Sequence, residues 1–251
     1  IYMLNGTTAE DVNKKYTTNA ADGTASGTFS AAEGDIYFPV NGDSRDFVAY
    51  YPHQAGMAGN GNKYAIDLSD QSSQKAIDLM RSAKVTGKNK NNASVAFQFS
   101  HKLVKIEVTI EHGNGVATED LAGTTVALTN QPVKGSFDVL TEGAEAEPEA
   151  VTEVNTLKSI TLYPVPESSK YEAIVFPAET TEGMEMEFTV PALGTVPFTF
   201  TVSDAEMSSQ FEAGNKYLYT IKINKMGIAV TSTIESWGYG NGEGGETGSA
   251  E

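Results

Sequence analysis

The chain has 251 residues, a formal charge of -16 and a pI near 4.5; so large an excess of carboxylates repels phosphate backbones and anionic lipid and argues against nucleic-acid binding. It contains no cysteine, which excludes disulfides, thiolate metal sites and cysteine nucleophiles together, without assigning a compartment. Hydrophobic content of 39% with 11 Phe, 11 Tyr and one Trp describes a globular, β-leaning protein long enough for two domains, and no apolar run approaches the roughly 20 residues that cross a bilayer.

The chain opens on the strand-like segment Ile1 to Leu4, without an initiator Met or charged leader. It is expected to be a processed product whose export signal or lipid-attachment cysteine lies outside it. Asn5 to Asn19 is polar and reads as a loop. Gly27 to Ser30, Asp35 to Val40 and Asp46 to Tyr51 are expected as successive strands, with turns at Gly34-Asp35 and Asn41-Gly42-Asp43. Pro52 ends the last of them, because proline cannot donate to a ladder. The glycine-rich run His53 to Asn62 is a loop, Tyr64 to Leu68 a strand, Gln71 to Met80 partly helical and Arg81 to Val85 a further candidate strand. Thr86 to Asn92 is a linker by composition, which places a domain boundary after residue 93.

Ser94 to Glu111 is the longest alternating run and marks a strand with one buried face. Val95, Phe97, Phe99, His101 and Leu103 share one phase; Ile106, Val108 and Ile110 take the other. The slip near Val104 predicts a bulge or bend that lets one segment serve two sheets. Further strands are expected at Thr124 to Leu128, Val133 to Val139, Ser159 to Tyr163, Glu172 to Phe176, Met184 to Val190, Phe198 to Val202, Tyr217 to Ile223 and Ile228 to Ile234. Their connections are short and rich in Gly, Asn and Pro, and no amphipathic helix exceeds two turns, so the fold class is all-β and sandwich-like. Thr141 to Glu153, with five glutamates and no base, is a solvated loop. After Trp237 the tail has six glycines and three glutamates in fourteen residues, too little apolar surface to order itself. The layout is therefore 1–93 and 94–237 as two domains and 238–251 as a flexible tail.

Catalytic chemistry finds no support. The three histidines, His53, His101 and His112, lack a nucleophile elbow and zinc-site spacing. His101, on an apolar face, is expected to be buried and bonded to a backbone carbonyl. Asp67, Asp70 and Asp78 form no calcium loop, and the glycine-rich runs lack the Lys-Ser/Thr and βαβ context of a phosphate cradle. No catalytic residue, metal site or cofactor is assigned. Exposed tyrosines are the one alternative that keeps weight, as platforms for a sugar in a monomeric glycan-binding surface lipoprotein: Tyr50, Tyr51, Tyr64, Tyr163, Tyr171 and Tyr239. Paired tyrosines on a strand place only one of two outside.

Five segments carry a resemblance: Ile1 to Leu4; Phe47 to Gln54 (FVAYYPHQ); Tyr64 to Ser72 with Asp78 to Met80; Val95 to Ile110; and Phe211 to Trp237. In this order and spacing the chain resembles the fimbrillin family, fimbrial subunits and related surface lipoproteins of Gram-negative gut and oral anaerobes that build the type V pilus. The resemblance implies two tandem transthyretin-like antiparallel β-sandwich domains, export as a lipoprotein and assembly into a pilus by strand exchange. In such pili an N-terminal strand is cut off after a basic residue and the exposed groove accepts a donor strand from the next subunit. The implied partners are other fimbrial subunits and a surface receptor or glycan, with a membrane engaged only through a lipid anchor outside this chain. The implied location is the outer-membrane surface or a fimbrium.

Two departures from the family pattern stand out. A donor strand alternates apolar side chains to fill alternate pockets, yet after Trp237 the tail offers only Tyr239, which shifts weight from stalk toward tip, anchor or adhesin-like members. The two arginines, Arg45 and Arg81, both lie beyond the first strand, so any processing site is expected to be missing from this chain or absent. Terminal position and alternation single out Ile1, Tyr2, Met3 and Leu4 as the strand to be displaced, and Ile228, Val230 and Ile234 as the strand to be exchanged.

Overall fold

A computed structural model describes residues 1–20, 26–142, 147–152, 156–194 and 196–237, and the backbone of 247–250. In chain order come β1 (Tyr2–Asn5), β2 (Thr8–Asp11), β3 (Tyr16–Thr18), β4 (Ser26–Ala31), β5 (Arg45–Val48), β6 (Tyr50–Tyr51), β7 (Lys63–Asp67), the short helix α1 (Gln74–Ile77), β8 (Met80–Ser82), β9 (Val85–Lys88), β10 (Val95–His101) and β11 (Val104–His112). They are followed by β12 (Thr125–Gln131), β13 (Lys134–Asp138), β14 (Glu149–Ala150), β15 (Lys158–Thr161), β16 (Tyr163–Pro164), β17 (Lys170–Val175), β18 (Glu185–Thr189), β19 (Phe198–Thr201), β20 (Asn215–Asn224), β21 (Gly227–Ser236) and β22 (Thr247–Ala250). The fold is all-β, as its alternating sequence requires.

One sandwich packs the sheet β16-β17-β11-β20-β21 on the sheet β15-β12-β18-β19. Val104, Ile106, Val108 and Ile110 of β11 and Tyr217, Tyr219, Ile221 and Ile223 of β20 meet Val126, Leu128, Met186 and Phe188 across its core. Within it β11 and β20 run parallel over eight paired residues, a pairing that short antiparallel connections do not predict.

The remaining strands stack in three layers. The sheet β2-β1-β5-β9 is the middle one. Tyr2, Leu4 and Val48 on one of its faces join Tyr64, Ile66 and Phe137 from the sheet β14-β13-β7. Met3, Phe47 and Ala49 on the other face join Met80, Val95, Phe97 and Phe99 from the sheet β3-β4-β22-β10-β8-β6. Residue 93 lies between β9 and β10, which belong to different sheets, and strands from both sides of it share the six-stranded sheet.

The expected slip occurs at Lys102 and Leu103. β10 pairs with β8 and β22, whereas β11 pairs with β17 and β20. Leu103 does not follow Val95, Phe97 and Phe99 as its phase suggested; the break turns it into the cluster around Tyr64 and Phe137. Asp35 to Val40, expected as a strand, has no ladder partner among the described residues. It lies as a strap, with Ile36 and Phe38 half-buried on the phenylalanine cluster. Val85 to Lys88, at the start of the expected linker, pairs with β5 as β9.

Arg45, buried in the middle sheet, binds Glu10 of β2 through Nε (2.5 Å to Oε2) and Nη2 (3.1 Å to Oε1). The hydrogen bond from Arg45 holds the Glu10 carboxyl below the usual glutamate range. A depressed folded pKa gives stability that is present above the ordinary glutamate pKa and lost as pH falls through the folded value. Glu10→Gln should therefore unfold more easily than the native chain at pH 7, yet lose less stability between about pH 5 and pH 3. Urea denaturation followed by circular dichroism at both ends of that range checks it.

Candidate assembly site

β1 is central in its sheet and buried on both faces, so its three apolar side chains fill two cores at once. Gly6, at φ 63°, supplies the left-handed turn that sends the chain back as β2. The Tyr2 ring lies 6.2 Å from that of Tyr50, which lies 5.8 Å from Tyr64. Burial pushes the phenols of Tyr2 and Tyr50 upward and that of Tyr64 up to about 12. Tyr50 shares its hydroxyl with Asn13 and Gln54, whereas the buried Tyr2 hydroxyl has no hydrogen-bond partner among the described residues. An unsatisfied buried hydroxyl costs about 1–3 kcal/mol, so β1 occupies its seat less than ideally.

Across the second core, β4 and β10 meet through Phe29 against Phe97 and Phe99 but share no backbone ladder. The tail, expected to stay unordered, supplies β22 between them for Thr247 to Ala250. It runs antiparallel to β10, with Val95 opposite Ala250 and Gln98 opposite Thr247, and parallel to β4, with Ser26 opposite Thr247. Two facing rows of backbone donors and acceptors can hold any extended segment, whatever its side chains. Beside this slot is a cavity of about 220 Å³ lined by Ile1, Tyr16, Ile36, Phe38, Phe47 and Phe97. The strap above it leaves Tyr37 75% and Val40 89% exposed. The rest of the tail, 238–246 with Tyr239 and residue 251, lies outside the described residues.

His101 closes the opposite end of β10. It is buried, as expected, and its Nδ1 lies 2.7 Å from the carboxylate Oδ1 of Asp78. Its ring stacks on Trp237 at 3.8 Å and 5°. The Trp237 N–H donates to the Gly214 carbonyl at 2.7 Å, and the Gly214 N–H to that of Leu103 at 2.9 Å. The sole tryptophan thus fastens the end of β21 to the break between β10 and β11. Nearby, Arg81 of β8 donates from Nε to the Val139 carbonyl, its Nη2 lacks a partner among the described residues, and burial lowers its pKa.

The proposed sugar platforms do not converge. Tyr50 and Tyr64 are core residues; Tyr51 and Tyr163 are half-buried on separate strands. Tyr171 donates to the Thr124 carbonyl at 3.0 Å. It lines a surface cleft of about 880 Å³ with Glu111, His112, Glu167 and Lys222. His53 and His112 are exposed and far apart in the chain. Asp67 and Asp70 accept from Ser69 and Ser72, which uses their carboxylates locally. Among the described residues no group of three or more His, Asp or Glu can hold a metal, and no helix is long and apolar enough to cross a membrane.

Two substitutions probe this geometry. Tyr2→Phe removes the orphan hydroxyl and should raise stability by about 1 kcal/mol, read from urea midpoints. His101→Ala should cost about 2–4 kcal/mol through lost stacking and a lost charge-assisted hydrogen bond. It should also red-shift Trp237 emission and increase its quenching by acrylamide.

A family profile described as Fimbrillin-like matches residues 1–237. The proposed fimbrium subunit Fim1C of Bacteroides uniformis is 48% identical over 254 residues, spanning 100% of this chain and 80% of that protein. The crystal structure of a proposed cell adhesion protein from Bacteroides uniformis superposes with a TM-score of 0.86 at 46% identity, covering 94% of this chain and 90% of the other. That of a proposed cell adhesion protein from Bacteroides ovatus does so with a TM-score of 0.65 at 25% identity, covering 83% and 75%. The tip fimbrial protein Mfa3 of Porphyromonas gingivalis, at 14% identity, TM-score 0.50 and 90% coverage of both chains, shares the fold. With one profile spanning residues 1–237 and a relative at 48% identity along the whole of this chain, the chain belongs to the fimbrillin-like family.

Proposed function

We propose that this chain is a cell-surface fimbrial subunit that polymerises by β-strand complementation, with β1 as the strand to be displaced. The observation that carries strand complementation is the slot between β4 and β10, which accepts a strand from the far end of the same chain; β1 lies in a different sheet, and its displacement rests on its terminal position and on the two cores its removal would open. A strand taken up in cis meets the same backbone donors and acceptors as one offered by a neighbour. Thr247, Gly248, Ser249 and Ala250 are small, so a donor with larger alternating apolar residues would compete well. Family membership supports assembly with other fimbrial subunits, a cell-surface or fimbrial location and a structural rather than enzymatic job.

Magnitudes decide how β1 could leave. Burying Tyr2, Met3 and Leu4 contributes roughly 5–9 kcal/mol at about 1.5–3 kcal/mol each, comparable to the whole stability of a domain. Spontaneous exit is therefore negligible, and displacement needs a cut plus a replacement strand. The second strand singled out by the sequence, with Ile228, Val230 and Ile234, is held by ten consecutive pairs with β20, so its release is the costlier exchange. Adhesion to a receptor or glycan, lipid anchoring, and the choice among stalk, tip and anchor belong to the same reading as extensions.

The test is light scattering after size exclusion on the chain with an engineered protease site between Asn5 and Gly6, before and after cleavage. Conversion of monomer into detergent-resistant ladders is the expected result, and removal of residues 247–251 should speed it. A cleaved chain that stays monomeric and folded sinks the reading.

A further inference from the structure

The two edges of the sheet β16-β17-β11-β20-β21 are built differently. β16 is two residues long and ends in Pro164, a blunted edge of the kind that prevents strands from pairing with neighbours. β21 is ten residues long, follows β20 without a register shift, and has no Pro, Lys or Arg anywhere along it. Among the described residues nothing pairs with its outer edge. Its inner row, Ile228, Val230 and Ile234, is only half-buried against the sandwich core. Phe198 and Phe200 on the other sheet's edge strand β19 are half-buried too, and Ser232 Oγ of β21 donates to the Glu206 carbonyl of the segment after β19 at 2.6 Å. A long, flat, unprotected edge above incompletely covered apolar side chains is a template for another strand.

The sequence of this edge says which strand fits. Read about Thr231, Ile228-Ala-Val-Thr-Ser-Thr-Ile234 is nearly symmetric, and an antiparallel pairing centred there keeps every side chain on its own face. Ile228 then opposes Ile234 of a second copy, and Val230 opposes Ser232, all on the inner face. On the outer face Ala229 opposes Thr233 and Thr231 opposes itself, a Thr–Thr pair that is favourable across strands. The charges agree as well. Glu235, exposed and 3.6 Å from Lys216 of its own chain, falls opposite Gly227 of the other copy, next to the exposed Lys225 of that hairpin. No like charges meet.

We propose that β21 pairs antiparallel with β21 of a second copy about Thr231, joining two five-stranded sheets into one across a two-fold axis. Such an interface is self-complementary and stops at two. Strand complementation at the β4–β10 slot is head-to-tail and open-ended, so the two contacts are independent, and this one offers lateral association between subunits.

The absence of cysteine makes the register directly measurable on the uncut chain. In the proposed pairing Thr231 faces its own copy with Cα atoms about 4.5–5.5 Å apart, inside the disulfide range of about 4.4–6.8 Å. Thr233 lies about 14 Å from its copy, four residues along at about 3.4 Å each plus the strand spacing. Mild oxidation should therefore convert Thr231→Cys into a covalent dimer and leave Thr233→Cys monomeric. By sedimentation, Thr231→Lys alone and Thr231→Glu alone should be monomers at concentrations where the native chain is dimeric, and an equimolar mixture should restore the dimer. Cross-linking of neither cysteine variant, equal cross-linking of both, or a Thr231→Lys chain that dimerises like the native one would overturn the proposal. Circular dichroism on each variant establishes that the exposed substitution leaves the fold intact.

Discussion

A single segment, Val95 to His112, has to belong to two sheets, and most of the molecule is arranged around the place where it changes over. A strand cannot switch sheets without interrupting its ladder, and an interrupted ladder leaves backbone groups that must find partners elsewhere. Here the Lys102 N–H donates to the Leu79 carbonyl and the Leu103 carbonyl accepts from Gly214. Leu103 drives into one core, Val104 into another and Phe99 into the third. The aromatic clamp of His101 and Trp237, oriented by Asp78, holds the same point from outside the ladder. All three cores therefore meet within the six residues from Phe99 to Val104.

That geometry bears on the proposed assembly through strands. A middle sheet buried on both faces makes β1 expensive to remove, while the β4–β10 slot asks little of its occupant beyond extended backbone. Strand edges are the other half of the same physics. Where the chain protects an edge, it uses brevity and proline at β16; where it leaves one open, at β21, the exposed row is long, regular and β-branched.

The polar side chains serve the scaffold. Glu10 is used on Arg45, Asp78 on His101, Glu107 on Lys170 at 2.6 Å and Glu172 on Lys105 at 3.1 Å. A net charge of -16 opposes any approach of two copies, but at physiological salt that repulsion fades within about 8 Å. Contacts between subunits must then be made by groups that act at short range, which are backbone hydrogen bonds and apolar side chains.

Alternation alone determined the fold class, most strand positions, the break near Val104 and the burial of His101, because a period of two is local and reports directly which residues face a core. The five ordered segments were enough to recognise the family. Only the tertiary structure decided who pairs with whom. Pairing of β13 with β7 across some seventy residues, the parallel contact of β11 with β20 and the insertion of β22 beside β10 join segments whose side chains carry no mark of the partner. A backbone ladder is chemically the same for every strand, so sequence pattern specifies a buried face and leaves its neighbour open. The same reason hid the fate of the tyrosines: Tyr50 and Tyr51 alternate identically in either orientation, and only the three-layer stack turned Tyr50 and Tyr64 inward.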